Sequence, residues 1–207
     1  MIILFGPAGS GKSTQGRTIA DKYGWRWLSV GQVLRDTGKF DEILKAGELV
    51  DDETVVKLMG EQIDRANAEG MEVVLDGYPR DRKQTEIMLA DENSKFFDSI
   101  DAAVVLDVPR EELWQRIESR GREDDTKDVV EKRFAIFEEN IGAILPLLEA
   151  RNVPIIRVNG VGGYDEVTER IEKEIFKVLP TAPEVFNDHD LGVIENDSVE
   201  KERSYGE

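Results

Sequence analysis

Residues 6 to 14, Gly-Pro-Ala-Gly-Ser-Gly-Lys-Ser-Thr, combine three closely spaced glycines with a lysine and two hydroxyls, directly after the apolar run Met1–Phe5. Glycines at 6, 9 and 11 let a backbone turn tightly, with positive φ where needed, so that successive N–H groups point inward at an anion. Lys12 adds a point charge, Ser13 a hydroxyl suited to magnesium, and a helix begun here would aim its positive end at the same anion. This G-x-x-x-x-G-K-S pattern is that of a phosphate-binding loop and implies a nucleoside triphosphate as ligand. Alone, it leaves kinases, GTPases, ATPases and motors open.

A second group narrows the choice. Leu75-Asp76-Gly77-Tyr78-Pro79-Arg80 leaves another apolar run, and ligands gather at the carboxyl ends of parallel strands. Asp76 is placed to hold the water shell of magnesium, Gly77 permits close backbone approach, and Arg80 offers a bidentate fork to a phosphate. Arg116, Arg120, Arg122 and Arg133 surround Asp124-Asp125 in an otherwise acidic chain, and Arg35 follows Ser29-Val30-Gly31. As a set these arginines fit a lid that neutralises transferring phosphates, although any one of them could equally belong to a surface salt bridge.

The elements that must carry these residues are legible in outline. Short apolar runs at Met1–Phe5, Arg26–Ser29, Glu72–Leu75, Ala102–Val108 and Pro154–Val158 alternate with longer helical stretches. Near-continuous Val/Ile/Leu runs suit strands covered on both faces, so the expected fold is α/β, a doubly wound parallel sheet of five strands. Helical periodicity covers Asp52–Asn67, Arg110–Ser119, Asp125–Glu149 and Tyr164–Val178, with a kink expected at Pro146.

The 207 residues suit one core, here assigned to residues 1–179, and residues 180–207 read as a disordered acidic tail. A net charge of −17 argues against nucleic-acid and membrane partners. The absence of cysteine excludes disulfides and thiolate zinc sites, and the single histidine, His189, falls in the tail. With no run near the ~20 apolar residues of a membrane span and no secretory segment, a cytoplasmic location is expected.

The chain resembles the adenylate kinase family of nucleoside monophosphate kinases. The resemblance rests on GPAGSGKSTQ, on SVGQVLR against the family's STGDLLR, and on GELVDDETV against GxLVPDELV. DGYPRDRKQ against DGFPRTxxQ and R-x-x-x-R-x-R-x-D-D with Arg133 following complete it, all in order over residues 1 to about 178. It implies a P-loop NTPase-type core with a helical monophosphate-binding insert at about 29–58 and a very short lid at about 117–125. The implied reaction is reversible transfer of the γ-phosphoryl group of MgATP to a nucleoside monophosphate by a largely monomeric enzyme whose partners are small nucleotides.

By the same resemblance, Gly9, Ser10, Gly11, Lys12, Ser13 and Thr14 hold the triphosphate, with Arg116, Arg120 and Gly162 on the donor side. Arg35, Arg80, Arg122 and Arg133 grip the acceptor phosphate and the group in flight. Val30, Leu49, Val50, Gly77 and Gln84 line the acceptor, with Gln84 at the position that pairs an adenine edge.

Val30 stands where Thr usually contacts the base, Gln32 where Asp is usual, and Ser13-Thr14 where Gly-Thr is common. Only Gly121 separates Arg120 from Arg122, a lid shorter than the family's short form and without zinc ligands, for which some ATP hydrolysis without acceptor is expected. Gln84 favours AMP over UMP and CMP, whose kinases tend to carry Asn there. A UMP/CMP kinase, a small-metabolite kinase and a non-catalytic nucleotide-binding regulator remain the alternatives.

Overall fold

The structure is a computed structural model and describes residues 1–46, 50–90, 99–121, 125–179 and 183–185. Leu49, Arg122, Asp124, His189 and nearly all of the expected tail lie outside the described residues. Five strands, β1 (Ile2–Phe5), β2 (Arg26–Ser29), β3 (Val73–Asp76), β4 (Ala102–Asp107) and β5 (Ile155–Asn159), form one parallel sheet in the order β2-β3-β1-β4-β5. That is the α/β architecture expected from the alternating runs. Eight helices are described: α1 (Lys12–Tyr23), α2 (Val30–Asp36), α3 (Asp41–Lys45), α4 (Asp52–Ala68), α5 (Arg82–Ala90), α6 (Arg110–Arg120), α7 (Lys127–Glu149) and α8 (Tyr164–Ile175).

Strand parity explains why the β1 run is unbroken. Ile2 and Leu4 of β1 face the layer formed by Ile19, Ala20 and Tyr23 of α1 and Val167, Ile171 and Ile175 of α8. Met1, Ile3 and Phe5 face the opposite layer, with Met59 and Ile63 of α4, Met88 of α5 and Leu148 of α7. Every side chain of such a strand needs an apolar partner, so no polar residue interrupts it. On α4 the buried positions Val55, Met59, Ile63 and Ala66 form one stripe at helical spacing. Its start is set by Asp51, whose carboxylate accepts a hydrogen bond from Thr54 N at 2.9 Å.

Helix α7 runs through Pro146 as one helix. A third apolar cluster, Leu113 and Ile117 of α6 with Val130 and Phe134 of α7, packs against Ala8 and so supports the glycine loop from beneath. No helix among the described residues is long and apolar enough to cross a membrane.

Candidate active site

The sheet order puts the ends of β1 and β3 side by side, with Leu4 in register with Asp76. The loop after β1 turns through Gly9 at φ +80° and Gly11 at φ +89°, the left-handed region where a side chain is strained. A Cβ at Gly9 would also lie 2.8 Å from the Leu113 carbonyl oxygen, so glycine is required there twice over. Gly11 caps α1 without a side-chain hydrogen bond and the first turn carries no acidic residue. The amides at that helix end therefore meet no carboxylate of their own turn, an arrangement that attracts an anion. Ser13 and Thr14 are exposed at this mouth, while Ser10 is buried and its N–H donates to the Pro7 carbonyl at 3.2 Å.

Lys12 crosses the loop, its Nζ 3.5 Å from the Pro7 carbonyl oxygen. Its Cε lies 3.8 Å from where a Cβ at Gly77 would stand, and the Arg80 guanidinium lies 3.9 Å from the same point. Gly77, at φ +70°, is thus the place where the lysine of one loop and the arginine of the other meet. Asp76 is 2 % exposed and, among the described residues, neither carboxylate oxygen has a hydrogen-bond partner. A buried carboxylate without partners is costly unless a cation completes it. Together with the Ser13 hydroxyl it fits a hydrated magnesium ion arriving with nucleotide phosphates.

The arginines converge from four elements. Gly31 of α2 is flanked by both Arg35 and Arg80, whose nitrogens would lie 3.4 and 3.5 Å from a Cβ placed there. Arg80 donates from Nε to the Gly77 carbonyl at 3.1 Å. Burial pulls its pKa below the ordinary arginine value, Asp76 opposes that, and Arg35 and Arg133 add to it. The guanidinium stays charged regardless, so like charges are held together in a way that favours an anion between them.

Arg120 grips Asp125 through Nε at 2.6 Å and Nη2 at 2.7 Å, and Arg133 donates to the same carboxylate at 3.0 Å. Asp125, with a side chain 5 % exposed, is a shared counter-ion to which the sequence analysis assigned no role; an Asp pair inside an arginine run was the available signal. Arg116 bridges the donor side, from Nη1 to the Ser10 carbonyl at 3.4 Å and from Nη2 to the Gly160 carbonyl at 3.0 Å. Gly162, exposed and at φ +123°, lies two residues beyond Gly160.

The acceptor-base residues behave differently. Val30 and Val50 are 1 % and 3 % exposed and belong to the core cluster. Gln84 is fully buried, its Oε1 accepting from Arg80 N at 2.9 Å and its Nε2 donating to Asp52 Oδ1 at 3.1 Å. Each end of the amide expected to meet adenine already makes one hydrogen bond inside the protein.

Asp52, at the start of α4, also lies 3.4 Å from Lys83 Nζ and beside Asp81. Burial and then the Asp52 carboxylate push the Asp81 pKa up. Asp52 goes the other way: burial would raise it, but hydrogen bonds from Asp81, Gln84 and Lys83 outweigh that.

The adenylate kinase family model matches residues 4–153 of the chain. An adenylate kinase of Micrococcus luteus is 35% identical over 192 residues, covering 86% of this chain and 91% of the relative. Adenylate kinases of Xanthomonas oryzae pv. oryzae and Mycolicibacterium vanbaalenii are 35% and 36% identical, each covering 84% of this chain and 98% of the relative. With the glycine loop, the Asp76–Arg80 turn and the arginine cluster all inside or alongside the matched span, the chain belongs to the adenylate kinase family.

Proposed function

We propose that the protein transfers the γ-phosphoryl group of MgATP to a nucleoside monophosphate, and that the acceptor is AMP, giving two ADP. The observation that carries this reading is the meeting of two anion-binding devices at Gly77, Lys12 from the loop after β1 and Arg80 from the turn after β3. One such device suits a single triphosphate; two suit a pair of phosphorylated ligands whose ends must touch.

In this reading the loop amides from Gly9 to Thr14 and Lys12 hold the triphosphate, while Arg35 and Arg80 hold the acceptor phosphate. An oxygen of that phosphate forms a bond to the γ-phosphorus as the bond to the β,γ-bridging oxygen breaks. The nucleophile is already an anion, so no side chain has to remove a proton, and the protein's work is alignment and charge neutralisation. Arg120, Arg122 and Arg133 neutralise the group in flight. Ser13 and Asp76 would hold magnesium, which when bound would neutralise charge on the triphosphate.

The adenylate kinases among the relatives support AMP. Pyrimidine acceptors remain the second reading, favoured by the burial of Val30 and by the internal use of the Gln84 amide. A coupled assay of ADP formation with ATP and each of AMP, CMP and UMP decides: AMP is expected to be fastest, and faster turnover of CMP or UMP overturns the choice.

A further inference from the structure

We propose that Gln15, backed by Thr168, is a positioning residue that holds residues 160–164 against the glycine loop, and so sets the place of the donor nucleoside without touching it. The inference rests on the kinase reading above. With the transferring end of the triphosphate at Gly77, its nucleoside points to the opposite side of β1, because the sheet order puts β3 on one side of β1 and β4 and β5 on the other. The segment after β5 borders the glycine loop there: Arg116 donates to the Ser10 carbonyl at 3.4 Å and to the Gly160 carbonyl at 3.0 Å. It leaves the carboxyl end of a parallel strand, where ligands of such sheets gather.

Gln15 joins the two regions. Its N–H donates to the Gly11 carbonyl at 2.9 Å and closes the first turn of α1, the turn that opens into the cradle. Its side chain leaves that turn sideways, and Nε2 donates at 3.1 Å to the carbonyl of Tyr164, the first residue of α8, across 149 residues of sequence. Thr168 Oγ1 donates to Gln15 Oε1 at 2.6 Å, and both residues are buried. The amide therefore has one orientation, since a flip would turn Oε1 toward the Tyr164 carbonyl with no proton between them. Ile19 of α1 shares an apolar cluster with Val167 and Ile171 of α8. Apolar contact is non-directional, so the hydrogen bonds of Gln15 set the register between the two helices. Within the segment, Arg170 Nη1 donates to the Asn159 and Val161 carbonyls, and Gly163 N donates to Glu166 Oε2 at 3.0 Å. Those contacts shape the segment internally, whereas Gln15 and Arg116 tie it to the glycine loop. A segment already in place spares ATP the entropy of ordering it on binding.

Methyl triphosphate separates this role from one in the cradle itself, since it carries the phosphates and no nucleoside. Equilibrium titration in the presence of magnesium would give dissociation constants for ATP and for methyl triphosphate in wild type, Gln15→Ala, Thr168→Val and Thr168→Ser. Positioning predicts that Gln15→Ala and Thr168→Val each weaken ATP by about tenfold, the worth of one well-placed hydrogen bond, and leave methyl triphosphate unchanged. Thr168→Ser keeps the hydroxyl and should keep the wild-type affinity for both. An equal loss for the two ligands would show that Gln15 shapes only the cradle and would overturn the inference. No change with either ligand would overturn it too, as would wild type that binds ATP no more tightly than methyl triphosphate, because no nucleoside contact would then exist to be positioned. Thr168→Val is close in volume, so the test survives if Gln15→Ala does not fold. A protein that shows the expected pattern yet phosphorylates none of AMP, CMP and UMP would uphold the positioning role and remove the kinase reading instead.

Discussion

The glycine loop after β1 and the arginine cluster opposite it both attract phosphate, but by different means. The loop works with backbone: Gly9 and Gly11 at positive φ and an uncapped helix start, with Leu113 and Ile117 packed against it. Its geometry is set by a few adjacent residues and the core beneath them. The cluster works with side chains delivered by α2, the turn after β3, α6 and α7, and each is tied to an internal acceptor. Arg35 donates to Gln32, Arg80 to Gly77, Arg116 to Glu112, and Arg120 and Arg133 to Asp125. A cradle of amides is built once by folding; a ring of guanidinium groups must be held apart from its own repulsion until an anion arrives. The first is rigid by construction, and the second depends on counter-ions.

The largest expected effect falls where the two devices meet. Lys12→Ala should lower kcat/KM by about three orders of magnitude, since a charge aimed at the transferring group is lost; a loss below tenfold would deny Lys12 that position. Arg80→Ala should raise the acceptor KM and lower kcat, together about a hundredfold in kcat/KM, with the KM for ATP little changed. Steady-state kinetics with each substrate varied would check both.

Gly9→Ala tests whether the cradle is a matter of backbone. The positive φ and the 2.8 Å approach to the Leu113 carbonyl should cost about 2 kcal/mol of stability, read as a lower denaturation midpoint together with weaker ATP binding. Asp125→Asn tests the counter-ion side: the amide cannot accept the same bidentate pair, and kcat should fall about tenfold with the acceptor KM nearly constant.

The smallest effect concerns Asp81, which meets Asp52 and accepts a hydrogen bond from Gln84 N beside the arginine cluster. Its raised pKa means that the fold favours its protonated form, so its stabilising contribution is complete at low pH and is lost as pH rises through the raised value. Asp81→Asn keeps a hydrogen-bond donor toward Asp52 at every pH. Thermal denaturation should therefore place the variant about 1–2 °C above wild type at pH 8, with the gap closing as pH falls below about 4. A gap independent of pH would contradict the assignment.

How much of this was legible in the sequence follows the same division. The glycine loop, the strands and the spans of α4, α6, α7 and α8 were readable to within a few residues because adjacent residues determine them: β2 matches its expected span and α4 starts at Asp52 as its pattern requires. The helical stretch through Pro146 was readable as well, and α7 spans it as one helix. In the site, Lys12, Asp76, Gly77 and Arg80 meet as their motifs imply. What was not legible lies between elements distant in sequence. Asp125 as joint partner of Arg120 and Arg133 depends on how α6 and α7 pack, and the bond from Gln84 to Asp52 on how α4 meets α5. A motif states which residue stands at a position; it does not state which neighbour has already claimed its hydrogen bonds.

The central claim, that two nucleotides are seated end to end across Gly77, is tested most directly by calorimetric titration with two adenosines joined through five phosphates. A compound filling both sites at once should bind at least about a hundredfold more tightly than ATP, because the second set of contacts is made without a second loss of translational freedom. Binding no tighter than ATP would mean that Arg80 and its neighbours hold no second nucleotide, and would contradict the account.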